Sequence, residues 1–246
     1  MKVVFAFLIK NKLSQEALWY EYLKSCSDYE ILIHCADYDG ITILKNLNTT
    51  VYVKQVPSEW SRLLQVELFL LQHAKDKHAD KVILLSDTCV PIKPLTYLYS
   101  HLCTNKSYIK YVSMFNDWKD ALTRHRTHYD FLHGNHQWCI LDKQHFDIFL
   151  NNKFRTEFET KVHYPEESYF SSMLCEKNLL TSDNVIDTIT TYVDWSRGNG
   201  MSPYTFEIEN EENVKIINET KNMPNILFFR KISPQSQLLN VIKSLL

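Results

Sequence analysis

Glycine is scarce: four residues in a chain of 246. No G-x-G-x-x-G fingerprint, Walker loop or G-x-S-x-G nucleophile elbow can be found, so a glycine-cradled phosphate and a serine-hydrolase elbow are excluded. The same scarcity argues against a repeat, a fibrous protein or a disordered chain. The six cysteines, Cys26, Cys35, Cys89, Cys103, Cys139 and Cys175, contain no CxxC pair. Zinc ribbons and thioredoxin-like motifs are thereby removed. Their wide spacing shows no disulfide framework, and mostly free thiols in a reducing compartment are expected. A basic excess is missing too: 27 Lys and Arg stand against 29 Asp and Glu, a net charge of -2. Nucleic-acid binding is demoted, because neutralising a phosphate backbone needs surplus cations. No run approaches the roughly 20 apolar residues of a membrane helix. The apolar part of residues 1–10 is short for a secretory leader, and no small-residue cleavage site follows. It reads as a first strand, and a cytoplasmic location is expected.

What is present suits a globular protein. Apolar residues make up 45% and aromatics 13%, enough for a sizeable core, and no linker or repeat interrupts residues 1–246. One domain is the economical reading. The first half alternates strand and helix. Strands are expected at Val3–Ile9, Glu30–His34, Thr50–Val53 and Val82–Leu85, the last suited to a sheet buried on both faces. Between them, Ser14 is placed to cap a helix carrying Leu18 and Leu23, and Ser61–Ala74 has Leu at helical spacing. This alternation predicts an α/β fold with a mostly parallel sheet, whose ligands bind beyond the carboxyl ends of the strands. Further strands are expected at Tyr108–Met114, Gln137–Leu141, Ile189–Val193 and Ile226–Phe229. Helices are expected at Lys143–Leu150 and Pro165–Glu176, with a last one starting at Ser233-Pro234. Residues 115–136 read as a long polar loop rich in His and Arg.

Several residues could carry chemistry, and each has a plainer reading. Glu166 and Glu167 follow Pro165, where acids suit a first helical turn. Arg230 and Lys231 follow a strand and could be a solvated strand end. Asp87, in Ser86-Asp87-Thr88, could cap a turn, and one carboxylate there makes a poor magnesium or manganese site. Asp37-Tyr38-Asp39 has the letters of an Asp-x-Asp motif but reads as a turn. His125, His128, His133 and His136, with Cys139 nearby, match no zinc spacing. Trp195, after Asp194, could be core, and Trp138 reads as packing.

Taken in order, Leu84 to Ile92, Gly134 to Asp142, Pro165 to Phe170, Thr191-Tyr192-Val193-Asp194-Trp195-Ser196-Arg197 and Ile226 to Lys231 carry more. The chain resembles the core-2/I-branching N-acetylglucosaminyltransferase family, with its plant relatives and the protein xylosyltransferases. The resemblance spans residues 1 to 232. It implies a GT-A-like (Rossmann-like) three-layer α/β/α sandwich and an inverting transfer from a UDP-sugar donor to a glycan hydroxyl. It implies no metal, basic side chains taking the place of an Asp-x-Asp ion. The family's Pro-Asp-Glu pattern makes Glu167 the base, with Glu166 in place of the aspartate. Its Phe-Ala-Arg-Lys-Phe pattern makes Lys231 the diphosphate ligand, with Arg230 second. A further family arginine has no direct match, and Arg197 is the substitute candidate. Asp87, Trp195, Glu166 and Asp194 fall beside the donor or acceptor sugar, and Trp60 near the donor base. The loop with Arg124 and Arg126 reads as an acceptor-side lip. N-acetylglucosamine is the first donor sugar expected and xylose the second. Animal members are usually membrane-anchored, and an anchor is not seen here. Two rivals stay open: a carbohydrate-binding or scaffolding protein on this fold, and a metal-dependent nucleotidyltransferase or hydrolase.

Overall fold

The structure is a computed structural model that describes residues 1–35, 38–53, 55–59, 61–113 and 130–246. Strand β1 (Val3–Ile9) is buried at all seven positions, as its unbroken apolar run requires of a strand covered on both faces. Helix α1 (Glu16–Leu23) follows, then β2 (Tyr29–Cys35), β3 (Thr50–Tyr52), α2 (Leu64–Asp76) and β4 (Lys81–Ser86). After β4 come β5 (Val90–Pro91), α3 (Leu95–His101), β6 (Ser107–Tyr108) and β7 (Tyr111–Ser113). Next are β8 (His133–Asn135), β9 (Ile140–Asp142), α4 (Phe146–Leu150), α5 (Arg155–Lys161) and α6 (Tyr169–Glu176). The chain closes with β10 (Val185–Ile186), β11 (Thr191–Val193), α7 (Glu211–Lys221), β12 (Phe228–Arg230) and α8 (Leu239–Lys243).

The main sheet has the order β10-β6-β9-β4-β1-β2-β3. Strands β3, β2, β1 and β4 are mutually parallel, with Val3 opposite both Tyr29 and Lys81. Strand β9 runs against β4 and β6, and β10 is parallel to β6. Two small sheets flank it: β11-β12-β5 and β7-β8. Alternation along β1 divides the core. Val4, Ala6 and Leu8 face a layer built from α2, α4, α5 and α6, with Leu68, Leu71, Phe149, Phe158 and Phe170. Val3, Phe5 and Phe7 face the layer of α1 and α3. There Trp19 sets its ring edge-on to Phe5 and Phe7 and donates its indole N–H to the Cys89 carbonyl at 2.9 Å. The three-layer α/β/α arrangement expected from the sequence is therefore present. A third apolar cluster joins β5 and β12 to Phe206, Ile217 and Ile242.

Several expected boundaries move. Gln15, not Ser14, precedes α1, and it caps nothing with its side chain; the Ser14 N–H goes to the Asp87 carbonyl instead. Helix α2 starts at Leu64 because Ser61 sits in the left-handed region at φ 71°. The expected strand Tyr108–Met114 is split between two sheets, β6 and β7. Pro165–Glu176 is a 3-10 turn followed by α6, interrupted at Ser168 with φ -148° and ψ -20°. The last helix begins at Leu239, since Ser233 Oγ instead accepts from the Gln235 N–H in a local turn. Within the expected polar loop, residues 133–135 form β8. Arg124, Arg126, His125, His128, Trp60 and Asp37 lie outside the described residues. All six cysteines are free. No described helix is long and apolar enough to cross a membrane.

Candidate active site

A cleft of about 750 Å³ opens beside the ends of β8, β11 and β12 and the turn at Pro165. The residues that line it include Gln137, Trp138, Glu166, Glu167, Trp195, Arg230 and Lys231. The structure thus brings together five sequence-predicted residues from three separate segments.

The two glutamates are presented by a tight turn. Tyr164 is left-handed at φ 54°, Pro165 opens the 3-10 turn Pro165–Glu167, and the Glu167 N–H closes it on the Tyr164 carbonyl at 3.0 Å. Asn135, from β8, pins this turn from behind. Its amide donates to the Glu166 carbonyl at 3.0 Å, while its Oδ1 accepts from the Ser171 N–H at 3.2 Å and the Ser171 hydroxyl at 3.1 Å. Adjacent residues then diverge. Glu166 is buried and accepts from the Leu63 N–H at 3.2 Å, just ahead of α2. Burial pushes its carboxyl up from the ordinary range. Glu167 faces the cleft, and its carboxyl is pushed up to about 7, first by burial and then by the charge of Glu166, with Arg230 opposing.

Arg230 and Lys231 leave the end of β12, which is fixed by parallel β11 and antiparallel β5. The backbone at Lys231 is held too: its carbonyl accepts from the Phe206 N–H at 2.8 Å, and the Ile232 N–H donates to Thr88 at 3.1 Å. The Arg230 guanidinium lies 4.7 Å from the centre of the Trp138 ring, and its buried Nε has no hydrogen-bond partner among the described residues. Lys231 Nζ donates to Ser202 Oγ at 2.6 Å. Burial lowers both cations, and Arg230 lowers Lys231 further. Asp87 stands close behind them rather than among the lining residues. Burial pushes its carboxyl up, and Arg230 and Lys231 pull it back.

Besides Asp87, two further sequence-predicted residues, Asp194 and Arg197, are not brought into the cleft lining. Asp194 Oδ1 accepts from the backbone of Ser196 and Arg197 and from the Ser196 hydroxyl, and Oδ2 takes Arg197 Nε at 2.7 Å. The Arg197 guanidinium also reaches Asn213 at 3.0 Å and Glu212 at 3.2 Å, and lies over Tyr204 and Phe206. This pair fastens the turn that carries Trp195, which stands 54% exposed on the cleft. Arg197, the substitute candidate for a diphosphate ligand, is paired with Asp194 and Glu212 in this structure. Trp138 packs against the core as expected, and its ring is also the platform for Arg230.

Residues missed in the sequence include Asn135, Gln137 and Glu67. Glu67 is wholly buried in α2, and its Oε1 accepts from Gln137 Nε2 at 2.9 Å. The available signal was an acid on the apolar stripe of a helix, one turn after Leu63 and Leu64. Among the described residues no group of three or more His, Cys, Asp or Glu is arranged to hold a metal ion. His133 turns its Nδ1 to the Phe131 carbonyl, and His136 lines the cleft with its pKa lowered by burial.

The mostly parallel α/β sheet covered by helices on both faces matches the GT-A-like fold of glycosyltransferases. The apo structure of WbbM, a bifunctional glycosyltransferase, matches it with a TM-score of 0.52 at 11% identity, over 100% of this chain and 49% of WbbM. An active-site mutant of LgtC reaches a TM-score of 0.47 at 13% identity, over 100% of this chain and 95% of LgtC. The model of the Core-2/I-Branching enzyme family matches residues 3–219, and the chain belongs to that family. Over 167 residues it is 22% identical to glycosyltransferase BC10 of Oryza sativa subsp. japonica, an alignment covering 62% of this chain and 41% of the rice protein. The chain spans less than half the length of the rice protein and of WbbM.

Proposed function

We propose that residues 1–246 form one inverting glycosyltransferase domain that moves a sugar from a UDP-sugar to a hydroxyl of a glycan acceptor without a metal ion. One observation carries this reading. A carboxyl held at about 7 shares its cleft with two cations that form no ion pair with a described residue. Inversion needs a base at the acceptor hydroxyl and a stabiliser at the leaving group. Glu167 takes the hydroxyl proton as the acceptor oxygen bonds to the anomeric carbon. The bond from that carbon to the diphosphate oxygen breaks, and its electron pair leaves with UDP. Lys231 and Arg230 stabilise the charge that develops there, with Asp87 as counter-charge behind them. A base poised near neutrality is matched to work at pH 7. Trp195 offers an exposed ring to the apolar C–H face of the acceptor sugar, and Glu166 borders the sugar subsite while anchoring the turn. N-acetylglucosamine is the first donor sugar and xylose the second.

The test is a calorimetric titration of UDP with EDTA present, beside Lys231→Ala, followed by assay of UDP release from the two sugar nucleotides. Metal-free binding that depends on Lys231, with UDP release abolished in Glu167→Gln, is expected. Sugar binding that survives Glu167→Gln with no UDP release by the unaltered protein would favour a binding module. Nucleotide binding seen only with manganese would favour a metal-dependent enzyme.

A further inference from the structure

Glu67 has no part in the chemistry just described, yet it is the most deeply buried acid near the cleft. It is 0% exposed in the first turn of α2, between Val66 and Leu68 of the apolar core. Its Oε1 accepts from Gln137 Nε2 at 2.9 Å. Its Oε2 is buried and has no hydrogen-bond partner among the described residues. No described cation pairs with it. The titratable groups that face it are Glu166 and Glu167 from the Pro165 turn and the Cys139 thiol ahead of β9. Arg230 acts on Glu167 from the other side.

A charge in that position would be uncompensated, which is among the costliest states a side chain can adopt. Burial, and then the neighbouring carboxylates, push the Glu67 carboxyl well up. Its uncharged form is thereby favoured. A neutral acid has one O–H donor and keeps its acceptor oxygen. The acceptor is engaged by Gln137, a residue of the cleft lining. With its NH₂ group held on Glu67, Gln137 has its carbonyl oxygen left for a ligand. An amide released from that contact could turn over and offer the opposite polarity.

We propose that Glu67 is a positioning residue of this site, which holds the Gln137 amide in one orientation so that its carbonyl oxygen accepts a hydrogen bond from a sugar substrate. The proposal rests on the transferase reading above. Gln137 is the group that touches substrate, and Glu67 acts through it. One polar contact of this kind, lost along with its orientation, corresponds to about a tenfold change in KM.

The experiment measures UDP release from UDP-N-acetylglucosamine and UDP-xylose, with N-acetylglucosamine- and galactose-terminated oligosaccharides as acceptor probes. It compares the unaltered protein with Glu67→Leu, Glu67→Gln, Gln137→Leu and the Leu/Leu double variant. Urea midpoints are taken on each. Glu67→Leu and Gln137→Leu are each expected to raise KM for the same sugar substrate about tenfold, with kcat changed less than about twofold. The double variant is expected to be no worse than either single one. Glu67→Gln, which keeps an acceptor and a donor, is expected to bring KM back to within about twofold of the unaltered protein. Gln137 lies on the cleft wall, so Gln137→Leu reads the contact even if Glu67→Leu fails to fold. Unchanged KM in both leucine variants, additive losses in the double variant, or a Glu67→Gln as impaired as Glu67→Leu would overturn the positioning role alone. No UDP release by the unaltered protein with any probe would overturn the transferase reading and this role with it.

Discussion

Arg197 and Arg230 stand close to one another in the fold, at or just beyond the ends of two paired strands, and they are used in opposite ways. Arg197 has two acids, an amide and two aromatic rings around it, with its buried Nη2 left without a hydrogen-bond partner among the described residues. Arg230 has one aromatic ring beneath it, a buried Nε without a partner, and carboxylates acting on it from a distance. A cation whose charge is paired with acids within the protein is part of the fold. A cation buried without that pairing carries a desolvation cost that a ligand's anion would offset. The neighbouring acids Glu166 and Glu167 both line the cleft, and Glu166 is in addition tied to the Leu63 N–H.

The comparison breaks most sharply at the acids. Glu167→Gln is expected to lower kcat by about 10²–10⁴-fold in a UDP-release assay, whereas Glu166→Gln should act mainly on stability. The pH dependence shares this origin. A base held at about 7 gives a rate that rises with pH and levels off above that value. Stability runs the other way. The folded pKa of about 7 lies above the ordinary 4.5, so the contribution of the protonated form is complete below about pH 4.5 and is lost as pH rises through about 7. Urea midpoints on either side of this window should show that slope, on the order of 2–3 kcal/mol, and Glu167→Gln should flatten it.

Next in size are the arginines. Arg197→Ala leaves buried Asp194 without its partner and is expected to cost about 2–3 kcal/mol in urea unfolding while UDP affinity holds. Arg230→Met should do the reverse, weakening UDP by about 10–100-fold in calorimetry with little loss of stability. If Arg230→Met unfolded the protein and left UDP affinity intact, the distinction between the two would collapse. The smallest effect is expected at Trp195. Its ring is half exposed, so Trp195→Ala should change stability by less than about 0.5 kcal/mol and raise only the acceptor KM, by about 5–10-fold.

The parallel half of the sheet was legible because β1, β2 and β4 are apolar runs of the right length, and burial on both faces requires such runs. Short strands were harder. β8 and β7 hold three residues each, too few for a periodicity to show, and β8 lies inside a polar stretch. Helix α7 was passed over although Asn210, whose side chain accepts from the Asn213 N–H, and the acids Glu211 and Glu212 mark its start. At the cleft, Glu167, Arg230, Lys231 and Trp195 could be named from motif order alone. Arg197 could not be separated from Arg230 in the same way. What distinguishes them is the company of Tyr204, Phe206, Glu212 and Asn213, residues 7 to 16 positions further along the chain. Glu67 was hidden by its setting, a single acid in a leucine-rich helix whose partner Gln137 lies 70 positions away.

Strand β9 is the reversed member of the main sheet. Chain leaving a parallel strand and chain entering a reversed one arrive at the same end, so Gln137 and Trp138 reach the cleft from ahead of β9 while Asp87 arrives from behind β4. The cleft thus has walls written in separate stretches of sequence. For protein engineering, Gln137 is the position on this wall to vary by itself, because Asn135 holds the Pro165 turn and Trp138 carries Arg230.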